Sequence, residues 1–364
     1  MTKIRLLIID DSALVRKMLT EIFNKSEVIE VVGTAADPII ARDKIKRLKP
    51  DVLTLDIEMP RMDGLTFLRN LMRLRPLPVV MVSTLTEKGA AVTLEALELG
   101  AIDFVEKPKI DISNTLNEYA EDIIAKVKVA AKANVRGLPL KSKPKSKAIF
   151  KASATSEKHT ADVIISADTG RKHFKTTDMI IAVGASTGGT EAIKSVVSNL
   201  PNTTPAIVIS QHLPVAFSAS FASHVDHVSA MKCCIARNYQ HISPGNIYIA
   251  PGDKHLIVIR DGARYICQLN DGPPVNRHKP AVDVMFRSVA QNVGSNAIGV
   301  MLTGMGADGA KGMKEMKDAG AINIIQDEAS SVVWGMPGEA FKLGGVDYVV
   351  SLEDVAEKIL SQVR

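Results

Sequence analysis

The chain has 364 residues, 46% hydrophobic and 23% charged, with a net charge of +5. That length exceeds one ordinary core, so two domains are expected, and the balance is that of a globular protein. Three cysteines, two of them adjacent (Cys233 and Cys234), exclude a disulfide framework and point to a reducing compartment. The apolar run in MTKIRLLIIDDSALV is broken by two aspartates and is too short for a signal peptide. No apolar stretch is long enough to cross a bilayer, so a cytoplasmic protein without membrane insertion is expected.

The first part alternates strand-like and helix-like segments. KIRLLIID reads as a strand, ALVRKMLTEIFNKS as a helix, IEVVGTA as a strand and PIIARDKIKRL as a helix. DVLTLD, LPVVMVS and AIDFVEK continue the strands; GLTFLRNLMRL, AAVTLEALELG and TLNEYAEDIIAKVKVAA continue the helices. Such alternation predicts a doubly wound parallel α/β domain, over residues 1–133.

Residues 134–177 are rich in Lys, Ser, Thr and Ala without a sustained period and read as a flexible linker, with ADVIISA as a short strand. From Arg136 to Thr160 the bases Arg136, Lys141, Lys143, Lys145, Lys147, Lys151 and Lys158 face one acid, Glu157, so the excess positive charge of the chain lies here. A basic, aromatic-poor linker reads as solvated spacer rather than a nucleic-acid site.

Apolar runs return over 178–364. MIIAVGA, PAIVISQ, IYIAP, AIGVMLTG, AINIIQ and DYVVS read as buried strands. Helices are expected at Glu191 to Asn199, Val215 to His227, Val282 to Val293, Ala310 to Ala319 and Leu352 to Gln362. HLIVIRDGARYICQL reads as a hairpin turning at Asp261-Gly262. The second domain is therefore α/β with a small antiparallel insertion.

In a doubly wound sheet, ligands bind at the carboxyl ends of the strands. In the first domain those ends carry Asp10 and Asp11, Asp56, Ser83 and Thr84, and Lys107. Convergent carboxylates call for a cation, and oxygen ligands suit Mg²⁺. A lysine and a hydroxyl beside them suit a phosphoryl group, for which an aspartate can be the acceptor. Each residue alone also serves as a helix cap or turn former; the set at four strand ends does not reduce to that.

These residues, with LTLDIEMPRMDGL, VVMVST and DFVEKP, resemble a response-regulator receiver domain. The resemblance implies a flavodoxin-like fold in which Asp56 takes a phosphoryl group from a sensor histidine kinase. It further implies that Asp10, Asp11 and Asp56 arrange Mg²⁺, Ser83 contacts the phosphoryl group and Lys107 pairs with it. The Lys107-Pro108 bond is a candidate cis peptide, since only an X-Pro bond adopts that form cheaply. Phe104 stands at the family's aromatic switch position and reads equally as plain core.

In the second domain MIIAVGASTGGTEAI places Ser186 in a small-residue turn after a strand. A phosphate loop of the Walker type lacks its lysine here, Thr190 standing in its place, and a dinucleotide loop lacks its second glycine, replaced by Ser186. Gly184 to Gly188 fits G-x-S-x-G, which exposes a serine on a strand-to-helix turn; a plain tight turn is the competing reading. Among the histidines, His212 follows the strand PAIVISQ and so shares the edge of Ser186. His224 and His227 lack a third metal ligand and read as surface residues; His255 and His278 lie in polar loops and remain outside candidates. Asp308, in a glycine-rich turn after AIGVMLTG, falls on the same edge, where it reads as an orienting acid or a helix cap.

VGASTGGTEAI, QHLPVAFSASFA, PGNIYIAPGDKHL, DGPPVNRHKPAVDVMFRSVA, LTGMGADGAKGM and VVWGMPGEA together resemble the catalytic domain of chemotaxis protein-glutamate methylesterases. The resemblance implies Ser186 as nucleophile, His212 as general base and Asp308 as its orienting partner, with Thr187 and the backbone near Met305 shaping an oxyanion site. It implies demethylation of glutamate methyl esters, and deamidation of glutamines, on chemoreceptor helices, needing no metal, with the receiver covering the hydrolase cleft until phosphorylated. Two other classes are a receiver-coupled transcription factor, for which no basic recognition helix is present, and a docking protein with a decayed triad, against which the three intact residues stand.

Overall fold

The computed structural model describes residues 3–84, 86–107, 115–133, 159–167 and 178–363. The chain divides into two compact units, Met1–Lys141 and Ser142–Arg364. In the first, β1 (Ile4–Ile9), α1 (Ala13–Asn24), β2 (Ile29–Ala35), α2 (Pro38–Leu48), β3 (Val52–Asp56), α3 (Gly64–Leu74), β4 (Val79–Ser83), α4 (Glu87–Glu98), β5 (Asp103–Glu106) and α5 (Thr115–Ala130) alternate.

The five strands pair in parallel in the order β2-β1-β3-β4-β5. The apolar runs of β1, β3 and β4 are buried because helices cover both faces of a parallel sheet. Helix starts are set by side chains: Ser12, Asp37, Asp63 and Thr86 each accept a backbone N–H at the start of α1 to α4. Gly64 opens α3 because a Cβ there would lie 2.0 Å from the Asp56 carbonyl oxygen. Only glycine lets the chain turn this closely behind Asp56.

The second unit contains β6 (Ile180–Ala185), α6 (Gly189–Val197), β7 (Ala206–Gln211), α7 (Val215–Val228), β8 (Lys232–Ile235), β9 (Gln240–Ile242), β10 (Asn246–Ile249), β11 (His255–Asp261) and β12 (Arg264–Asn270). It continues with α8 (Val282–Asn292), β13 (Ala297–Met301), α9 (Ala310–Asp318), β14 (Ile322–Gln326), α10 (Met336–Lys342), β15 (Tyr348–Val350) and α11 (Val355–Gln362). A seven-stranded parallel sheet runs β15-β14-β13-β6-β7-β10-β8, and β11-β12-β9 form a small antiparallel sheet. The order reverses between β6 and β13, which are direct neighbours. Their carboxyl ends form the crevice in which an open α/β sheet places its ligand.

Several expectations are corrected. ADVIISA is not a strand: Ala161–Val163 is a 3-10 turn. Ala161 is buried there against Ile257, Val275, Ala281 and Val284, with Ile164 and Ile165 packed alongside, and no strand pairs with it. DYVVS is not buried, because β15 is an edge strand paired only with β14, and Tyr348 and Val349 are exposed. The hairpin turn is shifted by one residue: Asp261 pairs with Arg264, so Gly262 (φ 60°) and Ala263 form the loop. The strands β8 and β9 and the helix α10 were not read from sequence. The two strands are short and partly polar, and α10 opens within the Gly-Met-Pro-Gly run of a breaker. Residues 134–158 and 168–177 of the expected linker, and Pro108 of the candidate cis bond, lie outside the described residues.

Candidate active sites

The first site lies at the carboxyl ends of β1, β3, β4 and β5. Asp10 follows β1 and Asp56 ends β3; both are buried, while Asp11 is exposed. Oxygens of these three carboxylates lie within 4.8 Å of one another, the only such metal-ligating group among the described residues. Lys107 Nζ is 2.7 Å from Asp56 Oδ2 and 3.5 Å from Asp10 Oδ2. Asp10 Oδ1 accepts the Ser12 N–H, while its Oδ2 is buried without a hydrogen bond.

Burial pushes the Asp56 carboxyl up to about 6, helped by the charge of Asp10 and opposed by Lys107. Burial also raises Asp10, against the pull of Lys107. Burial would lower Lys107, but its hydrogen bond to Asp56 and the nearby carboxylates outweigh that and raise it. One lysine is thus too little positive charge for this pocket, and a buried orphan oxygen faces it. An oxygen-seeking divalent cation such as Mg²⁺ fits this donor set.

Ser83 is buried at the end of β4; its hydroxyl accepts from Thr93 Oγ1 at 3.0 Å, and its carbonyl accepts the Lys107 N–H at 2.7 Å. Phe104 is buried in the core, with the Lys126 ammonium 5.4 Å from its ring centre.

The raised Asp56 has a thermodynamic consequence. Its folded pKa lies above the ordinary carboxylate value, so its protonated form favours the fold. That contribution is complete below about pH 4 and is lost as the pH rises through about 6. A bound cation offsets the loss only where the carboxylates are ionised. Millimolar Mg²⁺ is therefore expected to raise the melting temperature of the first unit at about pH 8 and to leave it unchanged at about pH 4.5.

The second site spans three adjacent strands. Ser186 follows β6, His212 follows β7, and Asp308 lies in the turn between β13 and α9. β6 is hydrogen-bonded to both β7 and β13, which brings the three ends together. Ser186 Oγ is 3.1 Å from His212 Nδ1, and His212 Nε2 is 2.8 Å from Asp308 Oδ2. The Ser186 N–H donates to the Thr303 carbonyl, and the Ser186 carbonyl accepts from Gly189 N and Gln211 Nε2. The positive backbone angle falls on Gly188 (φ 77°), the cap of α6, and not on Ser186. A Cβ on Gly188 would meet Val332 at 2.7 Å, so glycine is required there on two counts.

Asp308 is 2% exposed and accepts four hydrogen bonds. Besides His212, the donors are Asn276 Nδ2 at 2.8 Å, Val282 N at 2.6 Å and Asp283 N at 3.2 Å. The last two open α8, which has no cap from its own Ala281; Asp308 supplies the missing negative charge at that helix terminus. Burial would raise the Asp308 carboxyl, but the hydrogen bond and charge of His212 dominate and hold it below the usual range. Its neighbour Asp283 is pushed up by burial and by the charge of Asp308. Asn276 Nδ2 bridges the two, donating also to Asp283 Oδ2 at 2.7 Å. An ionised Asp308 only accepts, so the proton of neutral His212 sits on Nε2 and the Nδ1 lone pair faces Ser186.

All three residues expected from sequence thus meet. Thr187 is buried beside Ser186, its carbonyl accepting from Thr303 Oγ1. Met305 is half-buried in the turn after β13, and its neighbour Gly304 packs against Ser186. Sequence reading misses Asn276 and leaves His278 as an outside candidate. The His278 ring stacks on His212 with centroids 3.7 Å apart and planes 13° apart. His255 is structural: fully buried, it donates from Nε2 to the Pro273 carbonyl and accepts the Ala281 N–H at Nδ1.

Both parts of the chain are similar to known proteins. Residues 181–359 match the family model of the CheB methylesterase, and residues 6–118 match that of the response regulator receiver domain. A protein-glutamate methylesterase/protein-glutamine glutaminase of Hydrogenovibrio crunogenus is 58% identical over 375 aligned positions, covering 100% of both chains. One from Xanthomonas euvesicatoria is 58% identical over 99% of this chain and 97% of its own. The crystal structure of the Thermotoga maritima CheB methylesterase catalytic domain is similar with a TM-score of 0.50 and 35% identity, covering 50% of this chain and 98% of that one.

Proposed function

This chain belongs to the CheB methylesterase family, and from that premise we propose that it is a phosphorylation-regulated hydrolase of glutamate methyl esters on chemoreceptor cytoplasmic helices. The observation that carries the reading is the continuous hydrogen-bonded line from Ser186 through His212 to Asp308.

His212 Nδ1 takes the Ser186 proton as Oγ attacks the γ-carbonyl carbon of the ester. The N–H groups of Thr187 and Met305 stabilise the oxyanion. Protonated His212, its charge balanced by Asp308, returns the proton to the departing methanol. Water then enters with His212 again as base, and free glutamate leaves from Ser186. A glutamine side chain follows the same route and releases ammonia. These steps need only the chain's own groups.

In the first unit Asp56 accepts a phosphoryl group from a sensor histidine kinase, with Lys107 beside it and Ser83 on the adjacent strand. Asp10, Asp11 and Asp56 would hold Mg²⁺, which would supply positive charge against the phosphoryl donor. Phosphorylation adds charge where the pocket already carries an excess, and this shifts the receiver toward a state that permits hydrolysis. The three cysteines are free, and no helix among the described residues is long and apolar enough to cross a membrane, which fits action in the cytoplasm.

The expected result is that a small phosphodonor with Mg²⁺ stimulates methanol release by the wild type. The Asp56→Asn chain should keep its unstimulated rate and lose the stimulation. Equal stimulation of both chains would remove Asp56 from the reading.

A further inference from the structure

The described segment 159–167 lies before the catalytic fold in the chain, yet it is fastened to the parts that hold Asp308. The His159 carbonyl accepts the N–H of Asn276 at 3.0 Å. Asp162 Oδ1 and the Ile165 carbonyl both accept from Arg287 Nη1, at 2.8 and 2.9 Å, and the Ser166 carbonyl accepts from Gln291 at 2.8 Å. Ala161 and Ile164 pack against Val275, Ala281 and Val284. A Cβ on Gly272 would lie 2.2 Å from Ile164, so the loop leading to Asn276 is shaped around this segment.

Asp308 is oriented from two sides. One is Asn276, in a turn whose backbone at Asn276 (φ 52°) and Arg277 (φ 73°) lies in the left-handed region, which asparagine tolerates and arginine rarely adopts. The other is the first turn of α8. Segment 159–167 touches both: it bonds the backbone of Asn276 and clamps Arg287 and Gln291 of α8. The turn also carries His278, which stacks on His212.

We propose that residues 159–167 form a strap that positions the catalytic triad, holding the 275–281 turn against α8 so that Asp308 and His212 stay in register. Asp162 and Ile164 are positioning residues, acting through Asn276 and α8. A backbone strained at Arg277 relaxes when its outer support is withdrawn. Small displacements of an orienting group then lower the chemical rate without removing any group that binds substrate.

The proposal rests on Ser186, His212 and Asp308 being the triad, a reading established separately if the wild type releases methanol and Ser186→Ala does not. The test uses the full chain with a peptide carrying a glutamate γ-methyl ester. Asp162→Ala and Asp162→Ala/Ile164→Asp are compared with Val163→Ala, which alters the exposed side of the same segment. The expected result is a kcat lowered about tenfold or more in the double variant, less in Asp162→Ala, with KM unchanged, and recovery in Asp162→Glu. Val163→Ala should match the wild type. Asp162 is half-exposed, so its single variant folds and keeps the test open if the double variant does not. A kcat within about twofold of wild type in both strap variants, or a loss equal in Val163→Ala, overturns the proposal.

Discussion

Replacing Asp308 by asparagine is expected to lower kcat/KM by about 10⁴, with the fold retained but weakened. The carboxylate accepts from His212, Asn276, Val282 and Asp283, and all four donors point at it in a buried site. An asparagine offers one carbonyl oxygen and an NH₂ group, so in either orientation its N–H groups oppose N–H groups. With the NH₂ toward His212, the imidazole must accept at Nε2, which moves its proton to Nδ1. It then donates to Ser186 and can no longer take the serine proton. With the NH₂ turned away, Asn276 and Asp283 lose their acceptor. Each buried donor left unpaired costs about 1–3 kcal/mol, so denaturant midpoints should fall together with activity. Steady-state kinetics and denaturation on the same preparation check both effects. A variant with near wild-type rate would mean that Asp308 serves only to cap α8.

His212→Ala is expected to reduce kcat by about 10²–10⁴ and to change KM little. The ring touches Ser186 and Asp308 and is nine-tenths buried, so what it supplies is proton transfer and charge balance rather than substrate binding surface. Asp308 keeps its other three donors, so stability should suffer less than in Asp308→Asn. The residual rate should climb with pH, because hydroxide takes over part of the role of the base. A pH-rate profile of both chains checks this. A rise in KM would instead show that the ring helps to hold the substrate in its ground state.

Much of this was legible in the sequence because both sheets are parallel. Each buried strand is a continuous apolar run, and the residue that ends the run is placed at the sheet edge by the pattern alone. That is why Asp10, Asp56 and Lys107, and then Ser186, His212 and Asp308, could be grouped before any coordinates. What escaped lies where periodicity carries no information. Asn276 and His278 sit in VNRHKP, a turn with a left-handed backbone at Asn276 and Arg277, and their roles arise only once the turn meets Asp308 and His212. Residues 161–167 look like a strand because Val and Ile dominate them, yet Arg287 captures Asp162 and the Ile165 carbonyl and winds the segment into a 3-10 turn. The orienting hydrogen bonds of Asp308 reach across 25 to 96 residues of sequence, a range over which no local pattern speaks.

The central claim is that Ser186 is the nucleophile of a hydrolase governed by the receiver. The most direct test is methanol release from methylated receptor membranes by the wild type and by Ser186→Ala, each with and without a small phosphodonor and Mg²⁺. The account predicts release by the wild type that rises with the phosphodonor, and none above background from Ser186→Ala under either condition. Release by Ser186→Ala at the wild-type rate, or none from a wild type whose receiver is shown to be phosphorylated, would contradict it.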